Sequence, residues 1–319
     1  MALPGPRMQA FQHIALLTAP LFLLVLGGFA LARWARWPKA VADGLTRFTF
    51  SIAIPTLLFR LMSDFSRLPA VDARLLIAFF GGCLIVFALG RAIARWVFGM
   101  DGVSQSVFAL GGIFSNNVLV GVPLAKITLG EAAMPAVSLV LVFNALILWT
   151  LVTVSVEWAR KQTPSWKGMA QLARSVLTNP IVASILAGTV FGFAGVPMPG
   201  VIDETLALVG QSAVPLSLIV LGLGLAEYRI REGWRESVAI CVLKLVGQPL
   251  VVLLLARALG LPAMETQAVV MLASLPVGVN VYLMSRQFGA LEGPVASSLV
   301  LSTVIAAVTT PLVLALLGV

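Results

Sequence analysis

Ten apolar stretches, separated by short charged or Gly/Pro-rich breaks, dominate the chain. They fall at about 13–33, 45–62, 73–96, 103–129, 135–158, 176–195, 204–226, 237–259, 264–288 and 294–318. A helix needs roughly 20 mostly apolar residues to cross the hydrocarbon core of a bilayer, and each stretch is long enough to do so. The longer ones imply tilt or a break. Of 319 residues 60% are apolar and 11% charged, with a mean hydropathy of +1.03; a water-soluble domain is about half apolar and a quarter charged. These proportions exclude a soluble enzyme, a disordered chain and a peripheral protein with one anchor. They predict an all-α integral membrane bundle of ten transmembrane helices. The longest charged connection, at about 159–174, is too short to hold a soluble domain, so residues 1–319 form one membrane domain.

The net charge of +8 does not indicate a nucleic-acid partner, because the basic residues lie in short clusters between apolar stretches. One set of connections carries Arg33, Arg36, Lys39, Arg47, Arg91, Arg95, Arg160, Lys161, Lys167, Arg174, Arg229, Arg231, Arg235 and Arg286. The opposite side has only Arg7, Arg60, Arg67, Arg74, Lys126 and Arg257. By the positive-inside rule the first set is cytoplasmic. With an even number of helices, both termini face away from the cytoplasm. The stretch 14–32 is too long for a typical signal-peptide core and is read as a retained first helix. Cys83 and Cys241 lie within apolar stretches and read as buried thiols. His13 is the only histidine, so no histidine cluster forms a metal site, and no cofactor is indicated. Hydrolase, metalloprotease and Walker A patterns are absent, and no residue is assigned a catalytic role.

Shifted by about 160 residues, the chain aligns with itself. Leu17-Thr18-Ala19-Pro20 meets Leu177-Thr178-Asn179-Pro180, Ala53-Ile54-Pro55 meets Ala213-Val214-Pro215, and Leu139-Val140-Leu141 meets Leu299-Val300-Leu301. At an offset of about 162, Gln105 meets Gln267 and Leu110 meets Leu272. The register is weak in the third helix pair. A five-helix repeat is odd-numbered, so its second copy enters the membrane from the opposite side. Inverted repeats of this kind, here about 13–158 and 176–318, are a mark of secondary transporters, with the substrate site between the copies.

The fourth helix of each half has the least regular sequence. The first carries Ser115-Asn116-Asn117 and then Gly121-Val122-Pro123; the second carries Leu275-Pro276-Val277-Gly278-Val279-Asn280. Proline removes a backbone donor and clashes with the preceding turn, and glycine loosens a helix. Backbone groups freed inside a bilayer must find partners, a task that asparagine suits. One reading is a pair of broken helices crossing near the midplane, their half-helix N-termini offered to an anion. The other is a pair of simple proline kinks. The recurrence in both halves favours the crossover. Every Asp and Glu falls at or near an expected helix end, which leaves no mid-membrane carboxylate to carry a cation. Lys244 either faces an anionic substrate or snorkels to the interface; Lys126 and Arg286 either face it or anchor at the interface. Gly188 and Gly192 form a GxxxG spacing that reads as close helix packing more than as a dimer face. The oligomeric state stays open, with a homodimer among the options.

These features together resemble the auxin efflux carrier family, in its bacterial type. The resemblance rests on the Asn-rich stretch leading to Gly121-Val122-Pro123, on Thr178-Asn179-Pro180, on Ala213-Val214-Pro215-Leu216, on Lys244 with Pro249, and on Leu275-Pro276 through Asn280 to Gly289. It implies two inverted five-helix repeats with crossed, broken fourth and ninth helices, a fold similar to the bile acid sodium symporters and the sodium/proton antiporters. It also implies transport of organic anions: auxin-like weak acids, or malate- and malonate-type carboxylates. The expectation is a secondary transporter in a bacterial inner membrane, moving a small organic anion by elevator-type alternating access. Ser115, Asn116, Asn117, Gly278 and Asn280 would bind substrate, Gly121, Pro123 and Pro276 would shape the breaks, and Lys244 or Lys126 would balance charge. The alternatives are a sodium-coupled symporter of the bile-acid type and a non-transporting membrane receptor or enzyme on the same fold.

Overall fold

The computed structural model describes residues 6–63, 72–160, 174, 178, 180–227 and 233–319. Lys161, Lys167, Arg67, Arg229 and Arg231 of the charge comparison lie outside the described residues, as do Asp64, Trp166, Glu232 and Asn179. The described residues form helices joined by short connections, without named strands. Twelve helical elements follow one another: α1 (Pro6–Arg33), α2 (Lys39–Met62), α3 (Arg74–Trp96), α4 (Gly102–Gly111), α5 (Asn117–Thr128) and α6 (Glu131–Ala159), then α7 (Pro180–Ala194), α8 (Gly200–Leu225), α9 (Trp234–Ala258), α10 (Ala263–Ser274), α11 (Val279–Phe288) and α12 (Glu292–Leu316). Seven of them (α1, α2, α3, α6, α8, α9 and α12) are long and apolar enough to cross a membrane. The expected fourth span is divided into α4 and α5, and the expected ninth into α10 and α11.

Prolines set the irregularities. Short π-helical segments occupy Thr49–Ala53, Asn117–Gly121 and Leu243–Gly247, each ending two residues before a proline: Pro55, Pro123 and Pro249. A proline ring cannot donate a hydrogen bond and collides with the carbonyl four residues earlier. Widening the preceding turn relieves that collision while keeping the backbone bonded. In α8 the helix is interrupted at Ser212, shortly before Pro215, the repeat partner of Pro55.

Glycine sets the closest packing. α1 lies along α8 and α2 along α7. A Cβ on Gly222 of α8 would stand 2.0 Å from the Val25 carbonyl oxygen of α1, and one on Gly28 would stand 2.2 Å from that of Ile219. Gly188 of α7 meets the Phe59 carbonyl of α2 in the same way, at 2.5 Å; its GxxxG position serves packing within the chain. Outward-facing side chains are apolar, including Leu16, Leu23, Ile77, Val190 and Val304, all more than half exposed. That surface suits lipid and not water.

α4 opens on a side-chain cap. Asp101 accepts hydrogen bonds from the backbone N–H of Val103 (2.9 Å) and Ser104 (3.1 Å) and from the Ser104 hydroxyl (2.7 Å). The Ser104 hydroxyl, then these backbone donors, hold the carboxyl below its ordinary value. Its capping contribution is therefore complete above the unfolded carboxylate pKa, about 3.9, and is lost as pH falls through the lower folded value. Asp101→Ala should cost about 1 kcal/mol, read as a lower thermal midpoint at pH 7. That difference from the parent should shrink as pH falls through the folded value.

Candidate functional site

The two helix breaks meet each other. Ser115 and Val277 form an isolated antiparallel bridge. The Asn116 N–H donates to the Pro276 carbonyl at 2.9 Å, and the Gly278 N–H donates to that of Phe114 at 2.8 Å. Backbone groups that each helix gives up are thus recovered from the other break, as a low-dielectric interior demands. The approach is close enough that a Cβ on Gly278 would lie 3.0 Å from the Ser115 carbonyl oxygen. Gly121 packs against Leu275 and Leu272 of the other half.

Side chains from other helices take up the remaining backbone groups. Ser302 of α12 accepts from the Val277 N–H at 3.0 Å, and Thr310 donates to the Ser274 carbonyl at 3.1 Å. On α9, Lys244 and Gln248 stand one helical turn apart and serve the two breaks separately. Lys244 Nζ donates to the Ala273 carbonyl at the end of α10, at 2.6 Å. Gln248 Nε2 donates to the Ile113 carbonyl just beyond α4, at 2.9 Å. Both residues are fully buried. That hydrogen bond ties the carbonyl end of α10 to α9, so Lys244 steadies the break as a positioning residue. Gln248→Leu should strip Ile113 of its partner and cost about 1–2 kcal/mol, seen as a lower unfolding temperature in detergent.

On the other side of the junction lies a cavity of about 320 Å³. Ser115, Asn116 and Asn117 line it from the first break, and Gly278, Val279 and Asn280 from the second; Phe50 of α2, Asn144 of α6 and Ile181 of α7 complete its walls. The first turns of α5 and α11 therefore both begin at its edge. Early N–H groups of a helix have no carbonyl partner within it, and they carry partial positive charge. Among the described residues, the lining holds no charged side chain.

Several polar atoms here are buried without a hydrogen-bond partner: Ser115 Oγ, Asn116 Nδ2, both amide atoms of Asn117, and Asn144 Oδ1. Leaving such atoms unpaired costs about 1–3 kcal/mol each. Most of the unpartnered buried side-chain atoms among the described residues belong to this cavity's lining, where a polar ligand would meet them.

The structure thus brings Ser115, Asn116, Asn117, Gly278 and Asn280 together, with Gly121, Pro123 and Pro276 in or beside the breaks. Lys126 is not in the cavity lining; its ammonium stands 4.0 Å from Glu131. Lys244 lies behind the junction and does not reach the interface. Arg286 is exposed in the last turn of α11. Sequence reasoning missed Asn144, Gln248, Ser302 and Thr310. The available signal was a polar side chain within an apolar stretch, and for Gln248 also its spacing of four from Lys244.

The family model described as membrane transport protein matches residues 13–314. The chain belongs to the auxin efflux carrier family of membrane transport proteins. A protein of Rhizobium meliloti (strain 1021) to which malonate transport is ascribed is 27% identical over 297 residues, covering 92% of each chain. Auxin efflux carrier component 8 of Arabidopsis thaliana is 20% identical over 351 residues, covering 93% of this chain and 95% of the plant protein. The protein is an integral membrane protein of a transporter family, as its sequence predicts.

Proposed function

We propose that the protein is a secondary transporter of a small organic anion, a carboxylate or an auxin-like weak acid, working by elevator-type alternating access. The observation that carries this reading is the cavity at the junction of the two breaks, with its unpartnered amide and hydroxyl atoms and the first turns of two half-helices. Its volume lies at the small end of ligand pockets, about 300–1,000 Å³. A carboxylate placed there accepts from the first-turn N–H groups of α5 and α11 and from the amides of Asn116, Asn117, Asn144 and Asn280. Neutral donors and helix dipoles hold an anion without a fixed counter-charge. The anion then binds firmly enough to be selected and loosely enough to leave. The malonate transport ascribed to one relative and the auxin efflux named for another support this substrate class.

Alternating access requires two related gates, which two inverted five-helix repeats supply. Helix packing supports that arrangement: exchanging the halves turns the pairing of α1 with α8 into that of α7 with α2. The distribution of Lys and Arg supports a bacterial inner-membrane location with both termini on the non-cytoplasmic side. The decisive test is flux of a malonate-type dicarboxylate into liposomes containing the purified protein. Saturable uptake is expected, unchanged when choline replaces sodium at fixed membrane potential. Flux of cations alone sinks the proposal. Uptake that rises with sodium moves the protein to the sodium-coupled class, and binding without flux moves it to a receptor or enzyme.

A further inference from the structure

A second cavity, of about 300 Å³, lies between the α1–α2 connection and the end of α8. Among the described residues, Arg33, Arg36 and Lys39 line it together with Trp37 and one acidic side chain, Glu227. The other described lining residues are apolar: Ala32 of α1, Ala42 of α2, Leu223 of α8 and Ala226 just after it. Each cation alone would be an ordinary interfacial residue; their convergence on one cavity is what the fold adds.

The connection is short and internally bonded. The Ala35 N–H donates to the Ala30 carbonyl at 3.2 Å, the Trp37 N–H donates to that of Leu31 at 3.1 Å, and Pro38 leads directly into α2. Arg36 has a φ of +51°, in the left-handed region that side-chain-bearing residues seldom enter. It is one of only two non-glycine residues among those described that do so, Leu291 being the other. A glycine would hold this turn more easily. The turn therefore carries an arginine where backbone economy favours glycine, and that arginine lines the cavity. Strained positions of this kind concentrate at ligand clamps.

We propose that this cavity binds the phosphate headgroup of an anionic glycerophospholipid. Arg33, Arg36 and Lys39 face the phosphate; arginine forks match its oxygens in pairs. Glu227 accepts hydrogen bonds from headgroup hydroxyls, and the apolar wall receives the start of an acyl chain. Trp37 supplies an amphipathic ring of the kind that favours headgroup depth. Among the described lining residues, three cations against one carboxylate favour an anionic headgroup over a zwitterionic one. Basic pockets between transmembrane helices on the cytoplasmic side suit such lipids. This site is separate from the breaks and does not depend on what the protein transports.

The test uses purified, delipidated full-length protein in a neutral detergent, with phosphatidylglycerol, phosphatidylcholine and glycerol 3-phosphate as probes. Native mass spectrometry and thermal shift are the readouts. Phosphatidylglycerol should bind at least ten-fold tighter than phosphatidylcholine, and more weakly as salt rises. The variant combining Arg33→Gln, Arg36→Gly and Lys39→Gln should lose that preference. Glycine suits the turn at position 36, so the variant's unfolding temperature in the absence of lipid should match the parent's. Single Lys39→Gln should give an intermediate loss of at least three-fold, and it keeps the test informative if the triple variant folds poorly. Equal binding of both lipids, or unchanged phosphatidylglycerol binding by the variants, overturns the proposal. Equal protection by glycerol 3-phosphate also overturns it, assigning the site to a free phosphate ester.

Discussion

Asn117→Ala should reduce carboxylate transport by roughly 10- to 100-fold while leaving the folded protein as stable as the parent or more so. The two effects have one cause. Both amide atoms of Asn117 are buried without a partner, and the residue is 2% exposed. Its side chain contributes no hydrogen bond to the resting fold, and removing an unsatisfied polar group relieves a desolvation cost. A hydrogen bond to a charged ligand is worth about 1.5–3 kcal/mol, which sets the expected loss, and pairing the change with Asn280→Ala should deepen it. Flux in liposomes and thermal unfolding in detergent, measured on the same preparation, check both signs. Parental flux in the Asn117 variant removes the cavity as the transport site. Loss of flux together with a large loss of stability makes Asn117 a structural residue.

Gly222→Val should unfold the protein, or lower its thermal midpoint by roughly 10 °C, by separating α1 from α8. Even the first added carbon would stand 2.0 Å from the Val25 carbonyl oxygen and 2.7 Å from the Phe29 nitrogen. Both neighbours are backbone, so no side-chain rotation relieves the clash, and the helices must move apart along their length. Overpacking a tight interface typically costs about 1–3 kcal/mol and sometimes more. Here the contact is with backbone and the higher figure applies. Gly224→Ala, two residues along the same helix, supplies the control: its added carbon meets nothing within 4 Å, and it should unfold at the parental temperature or slightly above. Equal midpoints for the two variants would disprove the close-contact account.

Much of the architecture is legible in one dimension because a bilayer imposes it. Apolar length is a direct requirement of a spanning helix, so the seven long spans follow from stretches such as 73–96 and 294–318. The breaks were legible for a related reason. Proline and glycine disrupt a helix locally, whatever surrounds it, and the Asn residues beside Pro123 and Pro276 marked where freed backbone would need partners. The membrane transport family followed from the order of these motifs, and the match over residues 13–314 agrees.

The sequence did not show which polar side chains share a space. Lys126 and Lys244 were both candidates to balance a substrate's charge, Lys126 because it lies just beyond a break and Lys244 because it lies within an apolar span. Helix packing turns Lys126 toward Glu131 and commits Lys244 to the end of α10. Asn144 enters the cavity from a helix whose pattern is mostly apolar, and Gln248 supports a break more than a hundred residues earlier.

The sequence by itself determined a helical membrane protein, its family and the two places where its helices break, because those depend on local chemistry and on the bilayer as solvent. Only the tertiary structure decided that the breaks bond to each other, that neutral amides of the described residues line the cavity beside them, and that Lys244 serves the backbone. Those outcomes depend on which helix faces meet, and facing is a property of packing between segments distant in the chain.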